Sequence, residues 1–505
     1  MVFKILDRFQ KPPYNAKSKA YLVWDDWNDY SFRTLFGLIY VDENSVKHDI
    51  GSVKIGYYGQ KQGEKNLSKG DSFDTLSSDS FSLGQSDSYY EALNELGESV
   101  RDELLKALND IAKFPEIYEM AINESVTKIS LLRSISQTSV TGQFRRIASG
   151  GVRLTNYSFK FICPPTKGRS ANMELVFNVV PEVFPPTNIH VLIGRNGVGK
   201  THLINNMINS LMDDENSSSK YGSFISENTE TDSGLFANLT SVTFSAFDET
   251  EPKQERKDKT QGMRFSYIGL KRIQTGDKNS GPKSTIMLRN EFFKSLNTCK
   301  INSRANRWKK SIEMLESDPN FKDARIKELI DIKDDEEIKT TAFEVFRKLS
   351  SGHKIVLLTI TRLIEALQER SLVLIDEPEA HLHPPLLSAF TRTLSELLIE
   401  TNSVAIIATH SPVVLQEVPK SCVWKLRRTG AEALVERLTI ESFGENVGTL
   451  TNEIFGLEVT NSGYYKMIAA AMSETDNYEG MINYFHNQVG MEARAIIRSM
   501  TANKI

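Results

Sequence analysis

Apolar residues follow two spacings along the chain, and the order of these stretches predicts a mixed α/β protein. Residues 33–41, 51–58 and 156–180 carry apolar or alternating runs that are typical of strands. Residues 89–135 instead place apolar side chains three and four apart, which predicts a helical insertion between those strands. We therefore expect residues 1–180 to form a β-rich lobe with a helical insertion, continuous with the sheet that follows it.

Three later apolar runs predict a buried parallel sheet. Residues 189–193, 372–375 and 404–408 are unbroken apolar segments of strand length, as in the middle of such a sheet. Helical patterns predict a lobe over residues 285–348 and a long apolar helix over 354–367. The core is therefore expected to be α/β with helical additions.

A glycine-rich segment follows the first of these runs and matches a phosphate-binding loop. It reads Gly-Arg-Asn-Gly-Val-Gly-Lys-Thr, which fits G-x-x-x-x-G-K-[ST] at every fixed position. Glycines let successive backbone N–H groups converge on a phosphate, and the next helix presents its positive N-terminus to the same anion. Lys200 is expected to reach the β- and γ-phosphates of ATP, and Thr201 to hold Mg²⁺. The predicted nucleotide-binding residues are Gly194, Asn196, Gly197, Gly199, Lys200, Thr201 and His202.

Polar residues also end the second and third runs. Asp376 lies at a predicted strand's carboxyl end, where a carboxylate can bind Mg²⁺ through its water shell. Glu377 follows at once and is predicted to polarise the attacking water as a general base. The alternative for two acids after a strand is a solvated turn. His410 follows the third run, where a lone histidine is more often structural than catalytic.

A predicted helix begins upstream of the strand that ends in Asp376 and Glu377. Ser350 begins the segment Ser-Ser-Gly-His and is a predicted N-cap, with exposed N–H groups that form an anion site. The phosphate loop, this segment, the two acids and His410 stand in the order of the ABC ATPase motifs. Over about residues 190–205 and 346–415 the sequence resembles an ABC-type ATPase head, although Ser351 and His353 depart from that family's usual L-S-G-G-Q.

This resemblance implies a mechanism. Two heads of the family dimerise head-to-tail around ATP, and the signature motif of one contacts the γ-phosphate on the other. Here Ser350 and Gly352 would make that contact, and His410 would sense the γ-phosphate. The implied catalytic residues are Glu377, His410 and Lys200.

The segment Asp-Glu-Pro-Glu-Ala-His-Leu-His-Pro is similar to soluble ATPases of the RecF-like and OLD-like class, which are related to SMC proteins, and differs from membrane transporters. His381 and His383 within it are a metal pair in one interpretation, whereas the family uses the segment as a dimer-contact loop. No heptads support a long coiled coil. Only 95 residues follow His410, too few for a TOPRIM nuclease domain, and they contain no Asp-x-Asp.

An ATPase head without its own effector resembles the ATPase subunit of Septu-type antiphage systems, which occur alone or with retrons. That resemblance implies a homodimer that regulates a separate nuclease, expected to be of the HNH type. The competing hypothesis is a RecF-like repair or recombination ATPase that acts as a DNA clamp or loader. Transport would require a separate membrane subunit.

The predicted domains follow breaks in the pattern. They are the N-terminal lobe (1–180), the P-loop core (181–284), a helical lobe leading to the signature motif (285–348), the second half of the ATPase core (349–440) and a C-terminal helical cap or interaction region (441–505). The polar stretch 213–234 is expected to be mobile.

Composition adds limits on the partners. The net charge of −4 means that any DNA or RNA contact, including a retron RNA–DNA hybrid, must be local. Basic clusters at 143–170, at 253–283 and around Trp308 are either solvated charge or such a surface. Without a membrane-spanning run or signal-peptide core, we expect a cytoplasmic protein with three reduced thiols. Adenine-stacking candidates are Tyr157, Phe159 and Phe184, and Gln254 and Gln261 are candidates for the family's glutamine-bearing loop.

Overall fold

The computed structural model describes residues 1–505 apart from 26–28, 30, 65–66, 152–153, 165–172, 182, 213–217, 228–234, 245–250, 257–262, 274–280, 301–302, 430–431, 461–462, 476 and 503–505. Within these limits the strands form three sheets and the remaining elements are mostly helices. The predicted mixed α/β class is confirmed.

The first sheet contains the N-terminal strands. They are β1 (Val2–Leu6), β2 (Lys19–Trp24), β3 (Leu35–Val41), β4 (Lys47–Tyr57), β5 (Ser72–Phe73) and β6 (Ser80–Gly84), in the order β5-β1-β2-β3-β4-β6. Alternate residues of β3 point into the core, including Phe36, Leu38 and Tyr40. The predicted continuity with the next sheet is wrong: the described strands here hydrogen-bond into a sheet of their own, and helices fill the chain that follows.

The helical insertion packs on this sheet. Its helices are α1 (Asp87–Glu95), α2 (Glu98–Ala107), α3 (Pro115–Ala121), α4 (Gln137–Ser139) and α5 (Arg145–Ala148), with π-helical turns at Thr127–Leu131 and Val140–Phe144. Tyr89 lies so close to β6 that a Cβ on Gly84 would be 2.3 Å from its ring, so that position requires glycine. A buried ion pair ties sheet and insertion together, because Lys54 Nζ contacts Asp29 at 2.6 Å and the Ser130 carbonyl at 2.7 Å.

A small antiparallel sheet shares a hydrophobic core with strands of the ATPase sheet. Its strands are β7 (Tyr157–Ile162), β8 (Glu174–Val179) and β10 (Ser223–Ser226), in the order β10-β7-β8. Of the stretch predicted as mobile, residues 213–217 and 228–234 lie outside the described residues, and the remainder contains β10 and a short helix, α7 (Ser218–Tyr221). Phe159, Phe161 and Phe177 of this sheet share a core with the helix that follows the phosphate loop.

The main sheet has seven strands. They are β9 (Ile189–Ile193), β11 (Asn238–Thr243), β12 (Arg264–Gly269), β13 (Leu372–Asp376), β14 (Val404–Thr409), β15 (Val423–Thr429) and β16 (Glu432–Glu436). Their order is β12-β11-β13-β14-β9-β15-β16, and only β16 runs antiparallel to its neighbour. The three apolar runs predicted as buried strands are β9, β13 and β14, fully buried along their lengths.

Helices cover the main sheet and extend beyond it. They are α6 (Lys200–Met212), α8 (Thr285–Cys299), α9 (Ser303–Leu315), α10 (Pro319–Asp323), α11 (Asp335–Lys348), α12 (Ser351–Ala366), α13 (Pro384–Glu400), α14 (Pro412–Leu415), α15 (Val447–Thr460), α16 (Gly463–Ala471), α17 (Tyr478–Tyr484) and α18 (Met491–Ala502). Short 3₁₀ turns lie at Ile326–Asp331, Pro378–His381 and Lys420–Cys422. The longest described helix has 17 residues, so no long coiled coil is present in this part of the chain.

Further expectations concern the cysteines and the membrane. Cys163, Cys299 and Cys422 are buried free thiols, and burial raises the pKa of Cys299 and Cys422 to about 12. Of the helices that the structure describes, none combines the length and the apolar character needed to cross a bilayer.

Candidate nucleotide site

Three neighbouring strands end at one edge of the main sheet and carry the predicted motifs. β13, β14 and β9 lie side by side and parallel, with Asp376 opposite Ala408 and Thr409 opposite Ile193. Because parallel strands end at the same edge, the glycine loop after β9, the acids after β13 and His410 after β14 converge there. Segments that are far apart in the sequence thus form one site.

The glycine loop forms an open cradle. The φ angles of Gly197 and Gly199 are +79° and +103°, a region that favours glycine. At Gly194 the lack of space, and not the backbone conformation, requires glycine, because a Cβ there would lie 2.4 Å from the carbonyl oxygen of Leu426 on β15. A Cβ at Gly197 or Gly199 would meet no heavy atom of the described residues within 4 Å. The cradle therefore fits a phosphate group held by backbone N–H groups.

Lys200 is the buried cation of the site. Its side chain is 4% exposed, and Nζ donates hydrogen bonds to two main-chain oxygens of the loop at 3.0 and 3.1 Å. Burial lowers the pKa of the Lys200 ammonium, while the charges of the carboxylates after β13 act in the opposite direction. Those carboxylates are Glu377, Glu379 and Asp376. The cation and the acids thus lie close enough to interact electrostatically.

The two acids at the end of β13 differ in exposure. Asp376 is buried, whereas the Glu377 side chain is 31% exposed. Glu377 adopts a left-handed backbone conformation (φ +48°, ψ +59°), and its N–H donates to the Ala408 carbonyl at 2.9 Å. Such a conformation is uncommon outside glycine and is often found at functional sites. The arrangement leaves Glu377 accessible to water, as the predicted general base requires.

Thr201 and Asp376 are the predicted Mg²⁺ ligands. Thr201 lies in the first turn of α6, directly after the loop, and Asp376 ends a strand at the same edge. A hydroxyl and a carboxylate are hard oxygen donors, and Mg²⁺ is commonly bound by a few such protein groups together with phosphates and water. The residues present therefore fit this ion.

Glu379 joins the site through contacts that the sequence analysis did not predict. One of its oxygens, Oε1, accepts hydrogen bonds from the Thr409 hydroxyl at 2.6 Å and the His410 N–H at 2.7 Å. The same oxygen lies 3.0 Å from His410 Nδ1, and the Glu379 side chain is 9% exposed. His410 is thereby held through one ring nitrogen, which leaves Nε2 for a phosphate. The signal was present as the second acid of Asp-Glu-Pro-Glu, but its spacing alone does not reveal the partner strand.

We expect Glu379→Gln to slow ATP hydrolysis about tenfold with little change in ATP affinity. The amide keeps an acceptor oxygen but loses the charge, and hydrogen bonds to charged groups are worth about 1.5–3 kcal/mol against about 1 kcal/mol for neutral ones. The measurement is steady-state ATPase activity alongside an ATP-binding titration. Glu344→Gln, which removes an exposed charge on α11, is the matched control. An unchanged turnover in Glu379→Gln would refute a role in orienting His410.

The predicted signature residues lie at the start of α12. Ser350 is exposed and caps α12, and its side-chain hydrogen bonds are to the backbone and ring of His353. Gly352 lies under the turn after β13, where a Cβ would be 2.7 Å from the His381 carbonyl oxygen. The described side-chain hydrogen bonds of Ser350 are therefore made to a residue in the first turn of the helix that it caps.

The histidines after β13 make ordinary contacts. His381 Nε2 lies 3.1 Å from the Phe244 carbonyl, and His383 Nε2 lies 3.8 Å from Asp318 Oδ2. Among the residues that the structure describes, no group of three or more histidine, cysteine or acidic side chains is arranged to hold a metal ion.

The candidates for adenine stacking and for the glutamine-bearing loop differ in exposure and position. Tyr157 and Phe159 are buried in the core shared with α6, so neither side chain is available to stack on adenine, whereas Phe184 is 93% exposed. Gln254 lies between β11 and β12, and Gln261 lies outside the described residues.

The basic cluster around Trp308 has a buried centre and exposed lysines. Trp308 is fully buried, and its Nε1–H donates to Thr361 Oγ1 at 3.0 Å, so it cannot stack on a base. Neighbouring cations pair with acids: Arg307 contacts Asp87 at 2.8 Å. Further pairs are Lys309–Asp331 and Lys310–Glu400. Trp308 itself is therefore unavailable to a base, whereas Lys309 and Lys310 have side chains 39% and 53% exposed, and a nucleic-acid surface at this cluster stays a prediction.

Comparison with known proteins gives a family match and a close relative. Residues 220–416 match a family described as "AAA domain, putative AbiEii toxin, Type IV TA system". The chain is also 42% identical to protein ea59 of Escherichia phage lambda over 525 aligned positions, covering 99% of this chain and 98% of that protein.

Two solved structures of ABC transporter proteins are similar to part of the chain. A putative metal-chelate type ABC transporter in an inward-facing conformation has 12% identity and a TM-score of 0.31, covering 60% of this chain and 90% of its own. The ADP conformation of an ABC transporter's ATP-binding cassette has 11% identity and a TM-score of 0.31, covering 60% of this chain and 99% of its own.

Proposed function

The chain belongs to the family of phage lambda protein ea59 and has the motif order of an ABC-like P-loop ATPase, and from this premise we propose that it hydrolyses ATP as a head-to-tail homodimer. The observation that supports this most is the meeting of Lys200, the β13 acids and His410 at one sheet edge, while Ser350 keeps its hydrogen bonds within α12. A second chain would supply Ser350 to complete each site.

In the proposed reaction each residue has one task. The loop N–H groups and Lys200 hold the β- and γ-phosphates, and bound Mg²⁺, held by Thr201 and Asp376, would neutralise phosphate charge. Glu377 accepts a proton from the attacking water. His410, oriented by Glu379, donates a hydrogen bond to the γ-phosphate. Ser350 and the N-terminus of α12 from the second chain contact the same group.

Mixing two inactive variants tests the composite site. Lys200→Ala disables the phosphate loop, and Ser350→Arg blocks the signature end at an exposed position. In a mixed dimer both lesions fall in one site and the other site is intact. Random pairing should therefore restore about a quarter of the wild-type ATPase rate per chain, whereas each variant alone stays inactive. A mixture with no recovered activity, despite dimers in light scattering, would exclude sites shared between chains.

We propose further that the ATPase regulates a separate effector protein in antiphage defence, and that this effector is a nuclease. One finding supports a partnered role: the matched family's description names a toxin–antitoxin system. ATP binding would shift the dimer between states with different affinity for that effector, which is the thermodynamic requirement for control.

The effector proposal is tested by affinity purification of tagged Glu377→Gln chain expressed from its native locus. Mass spectrometry should find a stoichiometric small nuclease, with or without a reverse transcriptase. The tagged Lys200→Ala chain, which cannot close around ATP, is the matched control and should recover less. A homodimer with DNA and no neighbouring gene product would instead favour the RecF-like repair function.

A further inference from the structure

A chain of hydrogen bonds runs from the exposed end of α12 into the protein. The Ser350 hydroxyl lies 2.5 Å from His353 Nδ1, and His353 Nε2 lies 3.0 Å from Asp318 Oδ1. The side chains of His353 and Asp318 are only 6% and 8% exposed, whereas Ser350 is exposed. The hydroxyl at the helix tip is thus connected to a buried carboxylate through one imidazole.

The direction of these hydrogen bonds follows from Asp318. Burial alone would raise the pKa of its carboxyl, but hydrogen bonds from His353 and the Asn320 N–H hold the pKa below its ordinary value. Asp318 is therefore a carboxylate, and His353 Nε2 donates to it. In the neutral imidazole Nδ1 must then accept a hydrogen bond, and the Ser350 O–H donates it.

This geometry has a consequence for phosphate recognition. While Ser350 donates to His353, its hydroxyl presents only lone pairs to the outside, and lone pairs repel phosphate oxygens. When His353 gains a proton, Nδ1–H donates to the Ser350 oxygen instead. The hydroxyl hydrogen is then free to donate to an anion.

We propose that His353 is a positioning residue that sets the direction of the Ser350 hydroxyl, so that the protonated imidazole lets Ser350 donate to the γ-phosphate bound by the second chain. This inference rests on the composite site proposed above. Closing each site takes up one proton from solution, which stays on His353, and no covalent bond changes.

Among the residues that the structure describes, the titratable neighbours of the imidazole are Asp318 and His383. The ring centre of His383 lies 6.3 Å from that of His353, and its Nε2 is 3.8 Å from Asp318 Oδ2. Asn320 and Phe321 of α10 are the uncharged contacts, with Asn320 Nδ2 at 3.4 Å from Nε2. His383 therefore serves as the control imidazole, because it lies near the same carboxylate and no described hydrogen bond joins it to Ser350.

The test is the pH dependence of ATP-driven dimerisation. It uses Mg²⁺ and ATP with chains that also carry Glu377→Gln, so that hydrolysis does not deplete the ATP-bound dimer. Because closing each site takes up a proton on His353, dimer affinity should rise as pH falls, by at most about tenfold per pH unit and site. Adding His353→Gln, which keeps a donor and an acceptor without titrating, should remove this slope while dimers still form.

Two further variants separate positioning from folding. Ser350→Ala should also flatten the pH slope, although it leaves the His353–Asp318 pair in place. His383→Gln should retain the slope, and thermal unfolding at each pH identifies any variant that has lost its fold. The inference is overturned if His353→Gln or Ser350→Ala keeps the parent's slope, or if loss of the slope follows His383 instead.

The outcome also separates this inference from the proposed function. If mixed Lys200→Ala and Ser350→Arg chains regain activity but His353→Gln keeps the slope, only the role of His353 fails. If the parent chain forms no ATP-dependent dimer at any pH, the composite site and the role of His353 fail together.

Discussion

Replacing Lys200 by alanine should lower ATP affinity about 10- to 100-fold and abolish measurable hydrolysis. The Lys200 ammonium is buried in the phosphate loop, and a charge-assisted hydrogen bond of this kind contributes about 1.5–3 kcal/mol. In the loop, the described hydrogen bonds of the ammonium are to two main-chain oxygens, which a phosphate can replace. Calorimetric titration with ATP and Mg²⁺ measures the affinity directly.

Lys294→Ala is the matched control for this experiment. It removes a lysine of the same type from the exposed face of α8, and ATP affinity should stay at the wild-type value. Because truncating a buried cation can also disturb packing, the thermal midpoint of Lys200→Ala without nucleotide should be compared with that of the wild type. Tight ATP binding by a folded Lys200→Ala chain would show that the phosphates bind elsewhere.

The core of the fold could be predicted from the sequence because its strands carry local signals. β9, β13 and β14 are continuous apolar runs, and the polar groups of the site follow each run directly. Parallel order then brings their ends together without further information. The roles of the residues follow from motifs whose members lie close together in the sequence, as in the phosphate loop before Lys200.

Contacts between residues far apart in the sequence cannot be predicted from local patterns. Asp318 is 35 residues from His353, and no local pattern connects an acid in a helical lobe to a signature histidine. Likewise, the burial of Trp308 against Thr361 depends on how α9 packs on α12, which the sequence around Trp308 does not reveal. The N-terminal sheet was placed wrongly for the same reason, since alternation predicts strands but not the sheet to which they belong.

Changing Glu377 to glutamine should reduce ATP hydrolysis by about 10²- to 10⁴-fold while ATP binding persists. A general base contributes on that scale, and glutamine keeps the shape and hydrogen-bonding oxygen of the side chain but cannot accept the proton of water. The left-handed backbone at Glu377 is held by its N–H bond to Ala408, which the substitution does not alter. Bound ATP should therefore accumulate and hold the dimer closed.

Single-turnover hydrolysis, with light scattering to follow the dimer, measures both parts of this prediction. Glu379→Gln is the informative comparison, because it makes the same chemical change two residues away in a carboxylate that contacts His410 instead of facing water. If Glu377 is the base, its variant must be far slower than Glu379→Gln and must form the more persistent dimer. Equal rates for Glu377→Gln and the wild type would assign the base to another residue.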